Sequence, residues 1–158
     1  MYRRLDPERD WSFFDEDIRV PEADRALIRP LTAEAARTLW EREVASSPQQ
    51  RHPMLLPAEH WLKPQTLGPN WLNEWRRDEG EQVDGFLQSM LQSSEGEIAY
   101  FIFMREDAYE APVGILTKHW RAWLFLDDEG PFILVPTTGA YVGFGPNGNV
   151  FAGSRIDA

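Results

Sequence analysis

Three histidines, one run of carboxylates and one glycine string are the features of this 158-residue sequence whose residue types could carry chemistry. Imidazole can come only from His52, His60 and His119, and no two of them stand in the His-x-x-x-His spacing that puts two ligands on one helical face. A zinc site is therefore not expected. Asp127-Asp128-Glu129 is the densest group of carboxylates and could hold a divalent ion or supply a general base. Adjacent residues of an extended segment point to opposite faces, however, so Asp127 and Asp128 do not naturally converge on one ion. The plainer reading is an Asp-rich turn that caps its own backbone. His119, beside Trp120 and ahead of Asp127 and Asp128, is the acid-base candidate, because a carboxylate can orient an imidazole ring; a hydrogen-bonded structural histidine is the alternative.

Gly143-Phe144-Gly145-Pro146-Asn147-Gly148 matches the string G-x-G-x-x-G. A dinucleotide-binding loop needs a strand before it, a helix after it and an acidic residue about 20 positions on. Only ten residues follow Gly148. Asn147-Gly148 instead supplies the positive φ angles of a tight hairpin turn. The chain has no cysteine, which removes disulfides, thiol nucleophiles and thiolate metal sites. It also carries no Gly-x-Ser-x-Gly elbow, P-loop or kinase signature, and no cofactor or metal is expected.

The elements that must position these residues follow from periodicity and turn chemistry. Pro21 can start a short helix over Glu22–Arg29 that Pro30 ends, and Thr32 can cap a helix over Ala33–Ala45 with Ala36, Leu39, Trp40 and Val44 on its apolar stripe. Five prolines between Pro48 and Pro69 forbid a long helix or a central strand, so 48–69 is expected to be a long irregular segment, packed down by Met54, Leu55, Leu56, Trp61 and Leu62. Asn70 can cap a short helix carrying Trp71 and Trp75, closed by Arg76-Arg77-Asp78-Glu79-Gly80. Val83, Phe86, Leu87, Met90 and Leu91 recur at i, i+3, i+4, i+7 and i+8, the strongest helical period in the chain; Gly85 weakens that helix slightly.

After the turn at Ser93–Gly96, the apolar run Glu97–Met104 reads as a central strand buried on both faces. Ala111–Leu116 is ambiguous between extended and helical, and Thr117 can cap a helix through His119, Trp120 and Trp123. Strands are expected at Leu124–Leu126, Phe132–Val135, Tyr141–Phe144 and Val150–Ala152. The fold class is thus α+β, a single domain over 1–158 with N-terminal helices packed on a C-terminal, mainly antiparallel sheet.

Asp and Glu number 26 against 16 Lys and Arg, a net charge of -10, and Lys63 and Lys118 are the two lysines. Phosphate would be repelled and the arginines are scattered, so nucleic-acid binding is disfavoured, whereas a basic protein partner suits this charge. Acidity that serves solubility alone is the competing explanation. No apolar run is long enough to cross a membrane, and Met1–Glu8 does not resemble a signal peptide, which makes the cytoplasm the expected location.

The run Lys118–Asp128, the glycine turn and Gly153-Ser154-Arg155, together with Ala26–Thr32 ahead of the Trp40 helix, resemble a small bacterial family catalogued as a domain of unknown function. The resemblance covers most of the chain and implies a single bacterial cytoplasmic domain; it brings no activity or catalytic residue. The first function expected is a non-catalytic, acidic protein-binding module, of which an immunity or antitoxin-like neutraliser of a basic partner is one concrete form. The alternative is a small hydrolase-type enzyme using His119 with Asp127 and Asp128.

Overall fold

In the computed structural model, which describes residues 1–77 and 79–155, the helix starts are made by the side chains their sequence positions suggest. The Thr32 hydroxyl accepts the Ala35 N–H and opens α2 (Ala33–Glu43), and the Asn70 amide oxygen accepts the Asn73 N–H and opens α3 (Trp71–Arg76). The Glu22 helix is shorter than expected: α1 spans Glu22–Arg25, and Arg29–Pro30 is already extended as strand β1. α4 covers Glu81–Leu91 with Val83, Leu87 and Leu91 buried. Asp78, in the expected closure of α3, lies outside the described residues, as do residues 156–158.

The remaining strands are β2 (Thr66–Asn70), β3 (Ile98–Met104), β4 (Asp107–Pro112), β5 (Phe132–Leu134), β6 (Ala140–Phe144) and β7 (Asn149–Ser154). They form one antiparallel sheet in the order β1-β4-β3-β5-β6-β7-β2, with β3 inside it. The protein is mixed α+β. Strands β3 to β7 come from the second half of the chain, but both edges come from the first half. Each edge carries a proline, Pro30 in β1 and Pro69 in β2, where the missing N–H removes no interior ladder bond.

Alternation along the strands divides the core in two. One face carries Ala99, Phe101, Phe103, Tyr109, Ile133 and Val142, packed with α4, the N-terminal segment around Phe13, and two short helices, α5 (Val113–Lys118) and α6 (Trp120–Leu124). Phe101 lies at its centre, stacked on Trp123 at 4.9 Å and on Phe144 at 5.8 Å between ring centroids. The other face carries Ile102, Phe132, Leu134 and Tyr141 under Leu39 and Trp40 of α2. Leu56, Trp61 and Leu62 of the proline-rich segment pack on that second face and hold it down, whereas Met54 and Leu55, expected to do the same, are exposed in the 3-10 turn Pro53–Leu55; β2 begins at Thr66.

Two further expectations are corrected and one ambiguity is resolved. Leu124–Leu126 is the end of α6 and the turn after it, not a strand: the i, i+3, i+4 spacing of a helix brings Trp120, Trp123 and Leu124 to one side, and all three are buried. Thr117 does not start that helix: it lies within α5, and its hydroxyl donates to the Gly114 carbonyl. The ambiguity at Ala111–Leu116 resolves into both forms: Ala111 and Pro112 end β4 (Asp107–Pro112), which lies extended between β1 and β3, and Val113–Leu116 is helical in α5.

The glycine string forms the β6–β7 hairpin, with the Gly145 N–H bonded to the Asn149 carbonyl at 2.8 Å; of the pair Asn147-Gly148, expected to supply positive φ angles, Gly148 does so at 99° and Asn147 does not. Gly143 has its own reason: a Cβ there would sit 2.1 Å from the Phe151 ring that lies across it.

Candidate functional site

His119 follows α5 and turns its ring toward α1, where Nε2–H donates to Asp24 Oδ2 at 2.7 Å; Lys118 Nζ reaches the same oxygen at 3.1 Å. The hydrogen bond from His119, then that from Lys118, holds the Asp24 carboxyl below its ordinary range. Asp127 instead accepts the Glu129 N–H at 2.9 Å, closing its own turn. Among the described residues His119 makes no hydrogen bond or ion pair with Asp127 or Asp128, and none of the three cavities described below is lined by any of these three residues. The histidine does have an orienting carboxylate, but it is Asp24, 95 positions away in sequence.

The other two histidines serve the backbone. His52 Nδ1 accepts the Met54 N–H and starts the 3-10 turn. His60 accepts the Leu62 N–H at Nδ1 and donates from Nε2 to the Val44 carbonyl at 2.6 Å, tying the proline-rich segment to the end of α2. Among the described residues no three His, Asp or Glu side chains gather as a group that could hold a metal ion. No helix among them is long and apolar enough to cross a membrane.

The largest of the three cavities is an open groove of about 770 Å³ between α4 and α5. Leu87, Leu91 and Val113 form its apolar floor, and Gln88, Gln92 and Thr117 stand along it. Asp84 and Glu95 put two carboxylates on its rim; the one cation there, Lys118, is already engaged by Asp24. Gly85 and Gly114 both line the groove, and nothing lies within 4 Å of where a Cβ would stand on either. Packing within the chain therefore does not require either glycine. Asp84 also accepts the Trp120 indole N–H at 2.8 Å, which locks this side of the groove to the core.

A second cavity, of about 410 Å³, lies between α2 and the β1–β4–β3 edge, and a third, of about 540 Å³, lies beside Arg155 and Trp61. In the third, the Arg155 guanidinium sits 5.4 Å from the Trp61 ring centre and donates to the Glu43 carbonyl, a packed cation rather than a free one.

The family model described as "Protein of unknown function (DUF2947)" matches residues 2–153. The chain belongs to this family. No curated protein and no solved structure matches it. Membership in DUF2947 assigns no chemistry to any residue, so the groove and the two smaller cavities must be read on their own geometry. Sequence reasoning met Gly85 only as a weak point of α4. The signal it carried was a glycine exposed on the polar side of the most strongly periodic helix, where alanine would have served the helix better.

Proposed function

We propose that this DUF2947 protein is a non-catalytic binding module that receives a basic segment of another protein in the groove between α4 and α5. The observation that carries the reading is the pair Gly85 and Gly114. A glycine in a helix costs stability relative to alanine, and here neither one relieves a contact within the chain. The space they leave suits a partner backbone brought close to the floor of Leu87, Leu91 and Val113. Gln88, Gln92 and Thr117 can pair with main-chain amides of an incoming segment, and Asp84 and Glu95 favour Lys or Arg at its flanks. A net charge of -10 adds long-range attraction for the same partner. Neutralisation of a basic toxin is one biological form this binding would take.

Selection of random peptides displayed on phage against the folded protein tests the reading directly. Enriched sequences should carry Lys or Arg around an apolar or small-residue centre. Gly85→Phe and Gly114→Phe, at positions where a Cβ meets open space, should keep the native circular dichroism and lose the selected peptides by about tenfold or more. Peptides that bind the filled variants equally well, or that show no basic enrichment, would exclude the groove as the binding face.

A further inference from the structure

The cavity of about 410 Å³ between α2 and the sheet edge has a different chemistry from the groove. Arg29, Glu110 and Tyr100 are register partners across β1, β4 and β3, so their side chains leave the same face of the sheet in one row. Tyr2 joins them because a bridge between Tyr2 and Leu31 continues the edge beyond β1. Glu110 is only 8% exposed. Its Oε2 accepts both phenols, from Tyr2 at 2.9 Å and from Tyr100 at 3.2 Å. Its Oε1 has a single partner among the described residues, Arg29 Nη1 at a long 3.4 Å. An ionised carboxylate has about four acceptor directions, so Glu110 retains capacity on the Oε1 side.

Both phenols spend their protons on Glu110, and what they can still offer is oxygen lone pairs. The polar end of the cavity thus presents acceptors at Glu110 Oε1 and at the hydroxyl oxygens of Tyr2 and Tyr100, while Glu34 and Arg42, the latter 3.9 Å from the Glu43 carboxylate, add one charge of each sign to the lining. A ligand that completes the Glu110 Oε1 side is a donor, and a positively charged one meets that buried carboxylate best. Leu31, Ala35 and Leu39 supply an apolar wall for the rest of such a ligand. The size is within the usual range for small-molecule sites, roughly 300–1,000 Å³. We infer that this cavity is a binding site for a small organic molecule bearing a primary ammonium group, with Glu110 as its counter-ion, Tyr2 and Tyr100 as acceptors, and Leu31, Ala35 and Leu39 around its apolar body.

The state of the phenols agrees with this arrangement. Burial first, then the charge and hydrogen bonding of Glu110, push Tyr100 up to about 12, so its proton stays on the Glu110 hydrogen bond at neutral pH. Arg29, half-exposed and stacked 3.7 Å over the Tyr2 ring, covers the outer side of the cluster and does not occupy the remaining Oε1 direction at normal hydrogen-bond length.

Titration of the full chain with n-butylammonium chloride, followed by amide chemical shifts, is the test; n-butanol and sodium butyrate are the neutral and anionic controls of equal length. Butylammonium should shift the amides of Ala35, Thr38, Tyr100 and Glu110 with a millimolar dissociation constant. Butanol should bind at least about tenfold more weakly and butyrate not at all. Glu110→Gln keeps the shape and the acceptor for the phenols but removes the charge, and should abolish the preference for the amine over the alcohol. Ala35→Leu, which leaves the polar cluster intact and fills the wall, should weaken butylammonium about tenfold, and it carries the test if Glu110→Gln does not fold. Equal binding of amine and alcohol, shifts confined to other surfaces, or an unaltered affinity in Ala35→Leu would overturn the assignment.

Discussion

Glu74 caps a helix to which it does not belong: from α3 its Oε1 accepts the backbone N–H groups of Gln82 at 2.9 Å and Val83 at 3.2 Å, the first turn of α4. Gly80, the residue at the N-cap position of α4, has no side chain for the task. The groove depends on this contact, because α4 forms one of its walls.

Glu74→Ala should destabilise the protein by about 1–2 kcal/mol, the usual worth of a lost N-cap, since two donors of a buried helix start lose their acceptor. Glu74→Gln keeps an oxygen at the same place and should cost less. Urea unfolding of both variants checks the order; equal losses would mean that the charge, not the cap, is what α4 needs.

Gly85→Ala should stabilise by about 0.5–1 kcal/mol, because the position is helical and its Cβ meets open space. The same substitution should weaken any peptide seated in the groove. Thermal unfolding and peptide affinity are expected to move in opposite directions, which separates a glycine kept for a partner from one that is merely tolerated.

Phe101→Ala should cost about 3–5 kcal/mol in denaturant unfolding, the range for emptying a packed aromatic site. Phe101 is fully buried and stacks between Trp123 and Phe144, so the void would open where α6, β3 and β6 meet. A loss under about 1 kcal/mol would contradict the packing described for β3.

All four tyrosines titrate above their ordinary range. Burial comes first in each, with Glu110 adding to it at Tyr2 and Tyr100, and Asp10 at Tyr109. The unfolded chain releases these protons near pH 10 while the folded chain keeps them, so stability falls as pH rises above about 10. Tyrosinate absorbance should therefore stay low until the protein unfolds, and then appear in one cooperative step that coincides with loss of ellipticity. A gradual rise centred near pH 10 in the folded protein would contradict the buried hydrogen bonds of Tyr100 and Tyr109.

Asp10 is fully buried, and burial by itself raises its carboxyl. The bidentate Arg3 guanidinium at 2.7 and 2.9 Å, the Asp6 N–H and the Tyr109 hydroxyl outweigh that and hold it below its ordinary value. Its contribution is present above the unfolded value near 4 and is lost as pH falls through the lower folded value. Asp10→Asn should flatten the acid limb of the stability curve, as read by thermal unfolding between about pH 2 and 5; an unchanged limb would place the acid sensitivity elsewhere.

Features set by neighbours in the chain were legible in the sequence. Thr32 and Asn70 cap α2 and α3 because an N-cap bond spans three residues, and the period of Val83, Leu87 and Leu91 declares the buried side of α4. The Gly143–Gly148 string was a hairpin on context alone. Tertiary pairing decided what local composition left open. β4, with Asp107, Glu110 and Pro112 among its six residues, reads poorly as a strand and is extended because β1 and β3 both pair with it. The helix through Trp120 and Trp123 was legible, but its continuation to Leu124 was decided by the core all three side chains share. The sites follow the same division. His119 was visible as a residue, but its carboxylate is Asp24, and the row of Arg29, Glu110 and Tyr100 joins three distant segments through strand register. Side-chain identity is written locally, whereas a cavity is bounded by whatever the sheet brings together.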